Sequence, residues 1–226
     1  MIMFKHARRV VLVFAFVLVL TGRSAPTVEP VNLSVRKQEM ANYLSTGGYA
    51  RDVADVALAA NKYLAKRIPQ GAKPEKKLAI VFDIDETLLS NLPQIVANDF
   101  GYVAKTWDRW VAEGQAQAII PVQTVYDAAV RGKIDIFIIT GRKQNEQAAT
   151  ERNLRQVGYE TWTKIYYMPA ATDQPLTVAG FKTETRRQLT QEGYTIIANI
   201  GDQNSDLANG YAEHVFKLPN PFYLIK

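Results

Sequence analysis

Four short apolar runs set the strongest limit on the fold of this chain: residues 78–82 (LAIVF), 134–139 (IDIFII), 165–168 (IYYM) and 195–200 (TIIANI). Each has strand length and is largely apolar on both faces, which fits a strand covered by helices on either side. Helical stretches separate the later runs. One spans 144–157 and is followed by Gly158; the other spans 183–192 and is followed by Gly193. A glycine just past the last helical residue is a common stop. Apolar strands alternating with helices predict an α/β fold built on a parallel sheet. In such sheets ligands gather beyond the carboxyl ends of the strands, so that is where functional residues are sought.

Upstream of the first run, residues 34–68 read as two helices broken at Gly47-Gly48, and Val53, Val56, Ala57, Ala60 and Leu64 give the second one apolar face. Residues 26–33 form a linker, and 34–226 the folded domain. The first 25 residues differ in kind. Lys5, Arg8 and Arg9 precede an unbroken apolar run of 11 residues, 10–20 (VVLVFAFVLVL). A bilayer-spanning helix needs about 20. Charge, a short apolar core and small residues afterwards predict an export signal peptide over 1–25, cut after Ser24 or Ala25. Leu20-Thr21-Gly22 resembles the start of a bacterial lipoprotein box, but Arg23 stands where the lipidated Cys would be. Export to a periplasm, or secretion, is therefore expected, and any membrane association is confined to this leader.

Composition removes several chemistries. The 226 residues include no Cys, which excludes disulfides, thiolate zinc sites and a Cys nucleophile. His6 and His214 are the only histidines, too few for a His-rich metal site and a poor basis for a Ser-His-Asp triad. The net charge of +5 invites a nucleic-acid reading, yet the leader carries four basic residues and no acid; the rest is nearly balanced, 23 basic against 22 acidic. A phosphate-backbone binder is not supported.

The residues at the strand ends are informative. The first run leads into Asp83-Ile84-Asp85-Glu86-Thr87. In extended chain, Asp83 and Asp85 project to the same side, and two carboxylates held together ionise cheaply only around a cation. A Mg²⁺ site handling phosphate fits; a surface acidic turn is the plainer alternative. The second run ends in Thr140-Gly141-Arg142, where a hydroxyl and free N–H groups can hold an anion. Lys182, at the start of the helix 183–192, offers positive charge. The last run ends in Gly201-Asp202-Gln203-Asn204-Ser205-Asp206, two carboxylates four apart that suit a divalent cation.

Taken in order, these segments resemble the haloacid dehalogenase (HAD) superfamily of phosphotransferases. Asp83-x-Asp85-x-Thr87 looks like its first motif, Thr140 its second, Lys182 its third and Gly201-Asp202-x-x-x-Asp206 its fourth. The phrases FDIDETLLSN (82–91), FKTETRRQL (181–189), GYTIIANIGDQNSDL (193–207) and VFKLPNPFY (215–223) are closest to exported acid phosphatases of class B and class C and to plant vegetative storage proteins. The resemblance covers about residues 35–226. It implies a Rossmann-like parallel sheet flanked by helices, with a small helical cap at about 92–121 and the N-terminal helices beside it.

It also implies roles. Asp83 would be the nucleophile and Asp85 the acid and base. Thr140, Gly141 and Lys182 would bind the phosphoryl group, and Mg²⁺ would be held by Asp83, Asp202, the Asp85 carbonyl oxygen and Asp206. Lys164 is the rival for the third-motif lysine. An Asp at position 85 goes with hydrolysis of phosphate monoesters, nucleoside monophosphates and aryl phosphates being the expected substrates. In the cap, Tyr102, Trp107 and Trp110, with Phe100 nearby, either stack on a flat leaving group or pack the cap onto the body. A silent storage or ligand-binding protein on the same scaffold is the competing reading, a phosphotransferase the third; a homo-oligomer through the N-terminal helices stays open.

Overall fold

The computed structural model describes residues 29–169 and 176–225. The chain divides into two compact units, Met1–Asn32 and Leu33–Lys226, and the architecture that follows is that of the second. The leader 1–25, with Arg23, and the start of the linker lie outside the described residues. Among the described residues no helix is long and apolar enough to cross a membrane.

Helices α1 (Leu33–Ser45) and α2 (Gly48–Arg67) come first, then β1 (Lys77–Phe82), β2 (Leu89–Ser90), α3 (Leu92–Ala97), α4 (Ala104–Glu113), β3 (Gln117–Ala118) and α5 (Ile120–Arg131). The second half runs β4 (Asp135–Lys143), α6 (Gln147–Gln156), β5 (Lys164–Met168), α7 (Val178–Gln191), β6 (Tyr194–Gly201), α8 (Asn204–Leu207) and β7 (Val215–Lys217). The main sheet has five strands in the order β5-β4-β1-β6-β7, all parallel. The chain builds outward from β1 on one side, then returns to build on the other. The reversal lies between β1 and β6, where open α/β sheets form a binding crevice.

Period-two alternation sorts the core. Ile80, Phe82, Ile136 and Ile138 join Val53, Ala57, Leu64, Val122, Val125 and Ala129 of α2 and α5. Ala79, Val81, Phe137 and Ile139 point the other way, onto Leu189 of α7. The register between β1 and β6 shifts by one residue after Ala79, leaving Ile197 unpaired with β1. Residues 89–118 are a side excursion: α3 and α4 sit between β2 and β3, which pair antiparallel at Leu89–Ala118 and Ser90–Gln117.

Two expected boundaries move. Helix α7 starts at Val178, five residues before the expected 183, because Thr177 accepts a hydrogen bond from the Gly180 N–H and caps it there. Lys182 is thus inside the helix. Strand β4 runs on to Lys143, so Thr140-Gly141-Arg142 belongs to the strand's last residues and not to a turn beyond it.

Helix α2 is tied to the approach to β7 by a two-pronged ion pair, Arg67 Nε to Glu213 Oε2 at 2.6 Å and Arg67 Nη2 to Glu213 Oε1 at 2.9 Å. Hydrogen bonds from Arg67 hold Glu213 below the usual glutamate value. Since the folded value is depressed, the stabilisation is present above the unfolded value and is lost as pH falls through the folded one, below about pH 4. The Glu213 side chain is 38% exposed, so solvent screens the pair. Glu213→Gln should unfold more easily than the parent at about pH 7, by roughly 1 kcal/mol or less, and thermal melts at about pH 3 should show the gap closed.

Candidate active site

Strand β1 delivers Asp83, whose N–H extends the ladder by donating to Ile200 O at 3.0 Å. Strand β6 delivers Asp202 immediately after Gly201, and α8 delivers Asp206 one turn later. Carboxylate oxygens of Asp83, Asp202 and Asp206 lie within 4.8 Å of one another. Helix α7 supplies Lys182, whose Nζ donates to Asp83 Oδ1 and to Asp206 Oδ1, the latter at 2.6 Å. All four residues are buried, between 1% and 5% exposed.

The cluster therefore sets three carboxylates against one ammonium. Burial alone would pull Lys182 down, but the carboxylates of Asp83 and Asp206 outweigh it and keep the ammonium charged. Burial pushes Asp83 well up, against Lys182, and Asp206, Asp202 and Asp85 add to the rise. Burial, then the neighbouring Asp206, pushes Asp202 up to about 7. Carboxylates in this position take up protons unless a cation balances them. Three hard oxygen donors at mutual ligand distance, with charge in excess, fit a divalent ion such as Mg²⁺.

The loop that presents Asp206 is fixed from below. Arg186 of α7, fully buried, donates to the carbonyls of Asp206 (2.6 Å), Ala208 and Gly210 (3.0 Å), so three oxygens past the end of β6 share one guanidinium. Burial pulls Arg186 down to about 10, which leaves it charged at neutral pH. Asn199 Nδ2 adds a bond to Asp206 O at 2.9 Å, and Asp206 Oδ2 accepts from the Gln203 N–H at 2.8 Å. Asp202 Oδ2 accepts from Gln203 Nε2 and Asn220 Nδ2. Position 201 must be glycine for close approach: a Cβ there would lie 2.5 Å from both Cβ and Oδ2 of Asp206. Gly201→Ala should push Asp206 out of the cluster. A Mn²⁺ titration should read a roughly ten- to hundredfold loss of cation affinity, with about 1–3 kcal/mol of stability lost to overpacking.

Asp85 departs from the extended-chain expectation. Beyond Phe82 the chain turns, the N–H groups of Thr87, Leu88 and Leu89 all donating to Ile84 O. The Asp85 carboxylate accordingly stands outside the acidic triad. Its Oδ1 accepts from Arg142 Nη2 at 2.7 Å, Arg142 Nε at 3.1 Å and Asn91 Nδ2 at 2.9 Å. Arg142 is 4% exposed. Burial opposes its charge, and the Asp85 carboxylate more than restores it. Arg142 and Asn91 were not singled out from sequence, although each sits in a quoted segment; a lone arginine three residues past an apolar run was the available signal.

Asp83, Asp85, Gly141, Lys182, Asp202 and Asp206 all line one cleft of about 920 Å³. Thr140 does not: it is fully buried at the end of β4, its Oγ1 accepting the Arg142 N–H at 3.1 Å. Lys164 lies at the start of β5 with its ammonium 4.4 Å from the Tyr166 ring, away from the carboxylates. Phe100, Tyr102 and Trp107 line the cleft, the last two with ring centroids 6.4 Å apart. Trp110 does not line it. That ring packs on the main core and donates its Nε1–H to Asn91 Oδ1 at 2.8 Å, the packing alternative for this residue. Tyr223, missed from sequence, lines the cleft from the C-terminal segment and donates to the buried Glu86 at 2.8 Å. Burial, then Asp85, pushes Glu86 up to about 7.

Comparison with known proteins agrees with this fold. Residues 23–226 match the family model for HAD superfamily, subfamily IIIB (acid phosphatase). The chain is 33% identical over 209 residues to Acid phosphatase 1 of Solanum lycopersicum, covering 88% of this chain and 80% of that one. It is 36% identical over 155 residues to a stem 28 kDa glycoprotein of Glycine max, covering 66% of this chain and 61% of that protein. Vegetative storage protein 1 of Arabidopsis thaliana is 32% identical over 149 residues, 64% of this chain and 54% of the other. Among solved structures, the class C acid phosphatase from Bacillus anthracis superposes with a TM-score of 0.68 at 26% identity, covering 85% of this chain and 87% of that one. The parallel five-stranded sheet is thus that of a known lineage, and the chain belongs to the subfamily IIIB acid phosphatases of the HAD superfamily.

Proposed function

We propose that this chain is an exported, Mg²⁺-dependent phosphomonoesterase acting through an aspartyl-phosphate on Asp83. The observation that carries the reading is the buried cluster of Asp83, Lys182, Asp202 and Asp206 opening on the cleft, with Asp85 beside it on a separate hydrogen-bond network. The carboxylates of Asp83, Asp202 and Asp206, with the Asp85 carbonyl oxygen, would hold Mg²⁺, which when bound supplies positive charge against the phosphoryl oxygens.

In the first displacement an Asp83 oxygen attacks phosphorus and the ester P–O bond breaks; protonated Asp85 gives its proton to the departing oxygen, and an alcohol leaves. In the second, Asp85 takes a proton from water as the water oxygen attacks phosphorus, and the Asp83–phosphorus bond breaks to release inorganic phosphate. Lys182, with Gly141 of β4, would bind the equatorial oxygens, where transition-state charge spreads, while Thr140 beneath them holds the Arg142 main chain. The rings of Tyr102 and Trp107 support flat leaving groups, aryl phosphates and nucleoside 5′-monophosphates among them. Export rests on Lys5, Arg8 and Arg9 before the apolar run 10–20.

A silent storage protein is the second reading, favoured by the name of the Arabidopsis relative. The presence of Asp83, Asp85, Lys182, Asp202 and Asp206 together supports activity, since storage alone needs none of them. Phosphate release from p-nitrophenyl phosphate and 5′-nucleotides between about pH 5 and 7 tests the choice. Chelation by EDTA should abolish turnover and Mg²⁺ restore it, while Asp83→Asn should fall by on the order of a thousandfold or more. Equal inertness of parent and variant with Mg²⁺ present would put the storage reading first.

A further inference from the structure

Asn91 is fully buried, and its side-chain amide is fully engaged. Its Nδ2 donates to Asp85 Oδ1 at 2.9 Å and to Glu86 Oε2 at 3.2 Å, while its Oδ1 accepts the Trp110 Nε1–H at 2.8 Å. The amide has one orientation that satisfies all three partners. Turned over, it would set its oxygen against two carboxylates and its NH₂ against an indole donor. The Asn91 main-chain N–H also donates to Glu86 Oε1 at 2.5 Å, so the residue is held by backbone and side chain together.

This arrangement makes the two oxygens of Asp85 unequal. Oδ1 accepts from Asn91 and from two nitrogens of Arg142. Oδ2 has only a long 3.3 Å approach from Arg142 Nε among the described residues. Oδ2 is therefore the oxygen free to exchange a proton with a molecule in the cleft. Trp110 belongs to α4, and Trp107, Asp108, Val111 and Ala112 of the same helix line that cleft. One face of α4 meets the ligand space while the other is bonded, through Asn91, to the carboxylate.

We propose that Asn91 is a positioning residue for Asp85 and that Trp110 acts through it, coupling the helix that walls the cleft to the aim of the acid–base carboxylate. This rests on the phosphatase reading and names how its proton-transfer step is held in place. A carboxylate turned away from the departing oxygen slows the loss of a basic leaving group and matters little for one that departs as a stable anion.

The test compares kcat/KM, which reports the first displacement, for p-nitrophenyl phosphate, phenyl phosphate and a simple alkyl phosphate. Trp110→Phe keeps an aromatic ring and removes the N–H. It should cost about tenfold or more on the phenyl and alkyl esters, and less than about threefold on p-nitrophenyl phosphate, steepening the leaving-group dependence. Asn91→Ala should do the same, and the double variant should be no worse than Asn91→Ala alone, because the two act in series. Should Asn91→Ala fail to fold, judged by thermal melting, the Trp110→Phe series decides by itself. Equal losses on all three esters, an unchanged slope or additive effects would overturn the coupling. Failure of the phosphatase reading looks different: the parent itself would be inert, or indifferent to Asp83→Asn and to EDTA.

Discussion

A single ammonium group, Lys182 Nζ, sits where three elements of the fold meet. It bridges Asp83 at the end of β1 and Asp206 in α8, and reaches both from the second turn of α7. Removing a charged lysine from water is costly unless opposite charge surrounds it. Here the surrounding carboxylates exceed it, so the site is assembled around a charge imbalance. The arrangement holds only if α7 packs closely on the sheet, and the small side chains of Ala79 and Val81 on that face, with Leu189 filling the gap, allow it.

Arg186, one turn further along α7, serves a different end of the same construction. It satisfies three main-chain carbonyls where the chain leaves β6, in a place where no strand or long helix can do so. One helix thus carries two buried cations with separate tasks: Lys182 faces the carboxylates and Arg186 the backbone that presents them. The neutral donors Asn199, Gln203 and Asn220 complete the shell. Orientation of the acids comes largely from amides and backbone, and net charge from the ion pairs.

Much of this was legible in the sequence because strands of a doubly covered sheet are written as continuous apolar runs. The runs at 78–82, 134–139, 165–168 and 195–200 correspond to β1, β4, β5 and β6, and the break at Gly47-Gly48 to the corner between α1 and α2. The proximity of Asp202 and Asp206 follows from their spacing of four on a single turn. What escaped was non-local or very short. Strand β7 has three residues, too few for a periodic signal. The parting of Asp85 from Asp83 depends on a turn whose hydrogen bonds converge on Ile84 and on an arginine 57 residues away. The early start of α7 was hidden by Gly180, a poor helix former that a threonine cap overrules. Asn91, Tyr223 and Asn220 are ordinary polar residues until the fold makes them neighbours of carboxylates.

The two-rung ladder between β2 and β3 brings residues 89 and 118 side by side. The chain between them departs from the sheet and returns at nearly the same point, while Ile95, Phe100 and Trp110 pack back onto the main core. The intervening stretch is thereby relieved of any duty to the sheet: its length does not enter the register of β1 with β4 or β6. The buried carboxylates and Lys182 are thus carried by the body, while Phe100, Tyr102 and Trp107, which line the same cleft, are carried by a loop clipped at its base. Descendants of such a chain can lengthen or recompose this stretch without disturbing the strands, provided its ties to the body are kept or rewoven, among them Asn91 to Asp85, Asn153 to the Ala116 main chain and Arg152 to Ala112 O.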